Sequence, residues 1–110
     1  MKHRYRCVIL CVLLPAVVFG GQFHYSLEQF ALISGYEGCV RQLGSSLSAG
    51  QRDALADSLL RRRGLSYQPR RVENDRRLWA YPEYDNQRRL LGYMAEAYRL
   101  ECLEQNQGRY

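Results

Sequence analysis

The fold is decided by residues 86–105, which read NQRRLLGYMAEAYRLECLEQ. Apolar residues recur there at helical spacing and polar residues fill the gaps, which is typical of an amphipathic helix packed on a core. One apolar seam advances in steps of four, three and four residues and consists of Leu91, Ala95, Tyr98 and Cys102. Because side chains at these spacings share one helix face, we expect the Cys102 thiol to point into the protein.

The first twenty residues have the composition of an export signal. Basic residues stand within residues 1–6, an apolar run follows over 7–19, and Val18, Phe19 and Gly20 offer a cleavage site. The run is shorter than the roughly 20 apolar residues that span a bilayer. We therefore predict a signal peptide at 1–20 and a single domain at 21–110. The protein would be periplasmic or extracellular, with membrane contact only through the uncleaved signal.

The net charge of the whole chain is +5, from 16 Lys and Arg against 11 Asp and Glu. Three of the basic residues lie in the predicted signal, so the mature chain keeps 13 against 11, a net charge of +2. A charge this small gives no reason to expect a nucleic-acid partner.

Two more helices are predicted before the deciding stretch. Each begins with a capping box, SLEQ at 26–29 and SAGQ at 48–51. The first runs to about residue 43, and the second runs through residue 63 and closes at Gly64. The first helix contains Gly35 and Gly38, which weaken it by about 1 kcal/mol each. Close approach of another backbone and a poor helix end explain these glycines equally well.

The helical pattern breaks down over residues 66–85, which contain Pro69 and Pro82. We interpret this segment as a long connection. The predicted fold is thus all-α, a small three-helix bundle, with a fourth short helix near residues 73–80 as the alternative.

A disulfide between Cys39 and Cys102 is predicted to hold this bundle together. Both cysteines lie on apolar faces near the C-terminal ends of their helices, and an exported chain meets an oxidising environment. In an up-down-up bundle the first and last helices run in the same direction, which brings those ends together. The mature chain has no Cys-x-x-Cys motif and no His near either thiol, so a structural bond is favoured over a redox role.

Positive charge and aromatic residues concentrate in the middle of the chain. Residues 61–89 hold nine Arg against four acidic residues, a local charge of +5. Arginine and aromatic residues are enriched in the hot spots of protein interfaces. We predict that binding residues lie here, namely Arg70, Arg71, Arg76, Arg77, Trp79 and Tyr81. The structural alternative is a solvated surface from which Trp79 packs into the core of the bundle.

Enzymatic residues are scarce. His24 is the only His in residues 21–110, so few suitable side chains are available for His-based nucleophilic catalysis or for a zinc site. We predict no catalytic residue, metal or cofactor. A carboxylate mechanism through Glu96, Glu101 or Glu104 is less favoured than the interpretation that these residues form a solvated helix face. Glycosidases need two carboxylates that face each other across a cleft, and neighbours on one helix face do not provide this arrangement.

The sequence therefore favours a small exported helical interaction protein of the inhibitor, immunity or assembly-factor type. Its partner would be a protein of the cell envelope, bound through the arginine- and tyrosine-rich segment. The first alternative is a binder of anionic envelope polymers or lipid headgroups through the same arginines. The second is a small carboxylate-dependent hydrolase.

Overall fold

A computed structural model describes residues 21–109. These residues form four α-helices and no strand, so the predicted all-helical fold is confirmed. The helices are α1 (Leu27–Leu43), α2 (Ala49–Arg61), α3 (Pro69–Trp79) and α4 (Asp85–Asn106), and a 3-10 turn at Pro82–Tyr84 leads into α4. The predicted signal peptide at 1–20 lies outside the described residues. Within them, no helix is long and apolar enough to cross a membrane.

Both predicted capping boxes are present. At the start of α1 the Ser26 hydroxyl accepts from the Gln29 amide at 3.1 Å, and the Gln29 side chain accepts from the Ser26 amide at 2.9 Å. The same two bonds join Ser48 and Gln51 at the start of α2. These helix starts were predictable because each depends on only four consecutive residues.

The closure of α2 at Gly64 follows the prediction, although the helix itself ends at Arg61 and not at residue 63. Gly64 has a φ of +82°, its amide donates to the Arg61 carbonyl, and the Leu65 amide donates to the Leu60 carbonyl at 3.1 Å. This pair of bonds is a Schellman motif, which satisfies carbonyls at the end of the helix.

The segment at 66–85 differs from the prediction. It is not a long connection, because most of it is the 11-residue helix α3, which starts at Pro69 instead of near residue 73. Proline suits the first turn of a helix, since its missing N–H has no partner there in any case. The helix was underestimated because its buried face contains Asp75, and this charge interrupts the apolar pattern on which the prediction relied.

The core is built around α1 and α4, which run in parallel. A disulfide joins Cys39 to Cys102, as predicted, and both cysteines are fully buried. Earlier along both helices, a Cβ atom added to Gly35 would lie 2.5 Å from the Ala95 carbonyl oxygen and 2.8 Å from the Tyr98 Cβ. Of the two explanations for Gly35, close approach of another backbone is therefore the correct one.

Substitution of Gly35 tests this contact. We expect Gly35→Ala to lower the free energy of unfolding by about 2 kcal/mol, because the new methyl group overlaps backbone atoms of α4 that cannot move away alone. The matched control is Gly92→Ala on α4, where no atom lies within 4 Å of the added methyl group. It should raise the free energy by about 1 kcal/mol through helix propensity. Urea denaturation measures both values, and two changes of the same sign would contradict the close packing.

Candidate functional site

Three of the predicted arginines share one exposed side of α3, called here the arginine face. It consists of Arg70, Arg71 and Arg77. Together with His24 they line an open depression of about 430 Å³, whose remaining lining residues are Glu73 and Asn74. The structure thus brings together half of the predicted binding residues and adds His24, which the sequence had not placed there.

Arg70 and Arg71 carry positive charge at a position where it destabilises their own helix. Both lie in the first turn of α3, which contains no acidic residue, and the side chain of Gln68 does not cap it. The N-terminus of a helix carries partial positive charge, so each added cation there costs about 0.3–1 kcal/mol. Within residues 21–109 neither arginine forms a salt bridge. These two arginines therefore concentrate positive potential at this end of α3 without stabilising the domain.

Arg76 is not part of the arginine face. Its guanidinium reaches across to α1, where it lies 3.0 Å from the Glu37 carboxylate and 5.9 Å from the centre of the Phe30 ring. Glu37 also accepts a hydrogen bond from the Tyr67 hydroxyl at 2.6 Å. Burial raises the pKa of Tyr67, and the bond to Glu37 raises it further. Arg76 thus belongs to a network that ties α3 and the loop before it to α1.

Trp79 is largely buried, with 8% of its surface exposed. Its ring packs at 4.5 Å from that of Phe23, at 5.4 Å from that of Tyr84 and at 6.4 Å from that of Phe30. This is the packing role that the sequence analysis gave as the alternative for Trp79.

Tyr81 is 46% exposed and follows α3 at its C-terminal end. Arg70 and Arg71 lie at the opposite end of this helix, roughly 15 Å away at 1.5 Å per residue. The structure therefore does not place Tyr81 in the depression with His24.

The residue that organises the site is Asp75, which the sequence analysis did not single out. Its side chain is fully buried. One carboxylate oxygen accepts from the His24 amide at 2.8 Å, and the other accepts from the Tyr25 amide at 2.8 Å. Asn74 adds a bond of 2.9 Å to the Gln22 carbonyl. These contacts fix the segment before α1 against α3 and hold His24 beside the arginine face.

A signal for Asp75 was present in the sequence. It lies three residues after Val72 and four before Trp79, so it shares their helix face. An acidic residue at such a position must find donors when it is buried, and the backbone amides of His24 and Tyr25, just before α1, provide them.

Two of the three carboxylates considered for catalysis, Glu96 and Glu101, have intramolecular partners. Glu101 accepts from the Tyr36 hydroxyl and forms an ion pair with Arg63, and Glu96 forms an ion pair with Arg99 at 2.7 Å. Among residues 21–109, no cluster of His, Cys, Asp and Glu could hold a metal ion. Arg63 comes just after α2 and also lies over the Tyr98 ring of α4. Its contacts with Glu101 and Tyr98 therefore fasten the end of α2 to α4.

Comparison of the chain with models of protein families, with curated proteins and with solved structures gives no match.

Proposed function

We propose that this chain is a small exported protein of the cell envelope that has no catalytic role and binds an acidic surface of a protein partner through the arginine face. The observation that carries the proposal is the difference between two groups of arginines. One group has partners inside the domain and consists of Arg61, Arg63, Arg76, Arg88 and Arg99. Arg70 and Arg71 belong to the arginines that have no salt bridge within residues 21–109, and they also stand at the unfavourable end of α3 and line a depression.

A protein partner suits this site better than an extended polymer does. The lining of the depression includes Glu73 and Asn74, so a carboxylate and an amide stand among the cations. A uniform polyanion would be repelled by Glu73, whereas a folded partner can place a carboxylate at the arginines and a donor at Glu73. Arginine matches a carboxylate with two parallel hydrogen bonds, so it confers geometric specificity as well as charge.

The test compares two double variants that remove the same charge. Arg70→Ala with Arg71→Ala removes two of the three arginines of the arginine face, and the control Arg61→Ala with Arg62→Ala removes two exposed arginines at the end of α2. Wild-type protein and both variants, purified after export, are immobilised and exposed to a detergent extract of the producing cell's envelope. We expect the wild type and the control to retain the same protein, and the arginine-face variant to bind it about tenfold more weakly or worse.

Two results would contradict the proposal. Equal retention by both double variants would place the site elsewhere. Binding of the wild type to vesicles of anionic lipid at physiological salt, lost in the arginine-face variant and without any retained protein, would favour a headgroup binder. Circular dichroism of each variant confirms that the fold is intact.

A further inference from the structure

Helix α4 carries a second apolar line besides the seam that packs on α1. This second line is called here the outer stripe, and its members are Leu90, Tyr93, Ala97 and Leu100. Tyr93 is 78% exposed, and Leu90 and Leu100 are each 52% exposed. Single exposed apolar residues are ordinary, but a continuous line of them along one helix marks a contact surface.

The outer stripe has the spacing of a coiled-coil seam. Its residues advance by three, four and three positions, which is the a and d pattern through which one helix packs against another. Helix α1 packs on the opposite side of α4, where Leu91 and Cys102 are buried, and α2 and α3 pack on α1. Among residues 21–109 no helix remains to pack on the outer stripe, so a helix that covers it in the exported protein would come from another molecule.

We infer that the occupant is a second copy of this chain, with the two α4 helices antiparallel about a two-fold axis between Tyr93 and Ala97. The stripe is self-complementary in this direction. Leu90 would face Leu100 of the partner subunit, and the large Tyr93 would face the small Ala97 of the partner subunit. A parallel arrangement would instead oppose Tyr93 to its own copy and leave a gap at Ala97. Isologous contacts of this kind are the commonest way to form a homodimer.

The charges at the two ends of the stripe favour the same direction. Arg89 precedes the stripe and Glu104 follows it, and within residues 21–109 neither forms a salt bridge. Antiparallel pairing brings Arg89 within one helical turn of Glu104 of the partner subunit, and the two-fold axis repeats this pair. Parallel pairing would place like charges together, which is destabilising.

The size of the stripe sets the strength of the contact. An aromatic side chain can bury ~150–250 Å², and a stable interface uses about 800 Å² per partner. One aromatic and three aliphatic side chains over about 15 Å of helix fall short of that area. The dimer should therefore dissociate in the micromolar range.

Sedimentation velocity of the purified exported protein, from about 5 to about 500 µM, tests this by mass action. We expect a concentration-dependent shift from monomer to dimer. Ala97→Arg should weaken the dimer about tenfold or more, since a charge enters the centre of the contact. The matched control is Ala54→Arg on α2, also an exposed helical alanine, which should leave the dimer unchanged. If Ala97→Arg misfolds by circular dichroism, Tyr93→Ser replaces it in the same comparison.

The direction of pairing is tested by crosslinking. Leu90→Cys and Leu100→Cys proteins are oxidised alone and as a mixture, with wild type as the background. The mixture should crosslink efficiently, and each variant alone should not. A monomer at every concentration, equal weakening by Ala97→Arg and Ala54→Arg, or preferred crosslinking of Leu90→Cys with itself would overturn the inference.

Discussion

Removal of the disulfide, by Cys39→Ala with Cys102→Ala, is expected to lower the free energy of unfolding by about 4 kcal/mol. The bond joins residues 63 positions apart, so its loss frees a long loop of the unfolded chain. Domains of this size are stable by only about 5–15 kcal/mol, so the bond supplies a large part of the total. The midpoint of thermal unfolding should fall by roughly 15–30 °C.

The control for this prediction is the wild-type protein with its disulfide reduced. Reduced wild type and the double alanine variant should unfold at similar denaturant concentrations, because both have lost the same crosslink. The single variant Cys102→Ser should be at least as unstable, since it also buries a hydroxyl group where the sulfur is now fully enclosed. A double variant that loses less than about 1 kcal/mol would show that packing of α1 on α4 holds the bundle without the bond.

The features that the sequence predicted well depend on a few neighbouring residues or on the chemistry of cysteine. The capping boxes at Ser26 and Ser48 are local patterns, and the closure at Gly64 requires only a positive φ after a helix. The Cys39–Cys102 bond followed from an even cysteine count and two apolar faces. Periodicity alone does not distinguish the seam of α4 from the equally apolar outer stripe, and the burial of Cys102 shows which of the two faces the core.

The features that the sequence predicted poorly depend on contacts between distant segments. Arg76 and Arg77 are neighbours in the chain, yet they point about 100° apart around α3, and only the position of Glu37 decides which is used inside the domain. The extent of α3 was missed for the same reason. Asp75 is compatible with a buried helix face only because the His24 and Tyr25 amides, fifty residues away, satisfy it.

Loss of the Asp75 carboxylate should therefore have the second large effect on stability. We expect Asp75→Ala to lower the free energy of unfolding by about 3 kcal/mol, because two backbone amides lose bonds to a charged acceptor. The segment before α1 would also detach and take Phe23 away from Trp79. Asp75→Asn should cost less, since its carboxamide oxygen still accepts one of the two bonds while its amino group opposes the other.

The matched control is Glu73→Ala on the same helix, which removes an exposed carboxylate whose bond to Arg76 is 3.3 Å long. Exposed pairs of this kind contribute about 0–1 kcal/mol, so this variant should remain close to wild type. Two readouts are needed, the denaturation midpoint and the fluorescence of Trp79, the only tryptophan of the chain. Asp75→Ala should shift the native emission to longer wavelength, because water reaches the indole once Phe23 leaves it. Equal stability of Asp75→Ala and Glu73→Ala, with unchanged emission, would show that the segment before α1 is held by its aromatic contacts and not by the carboxylate.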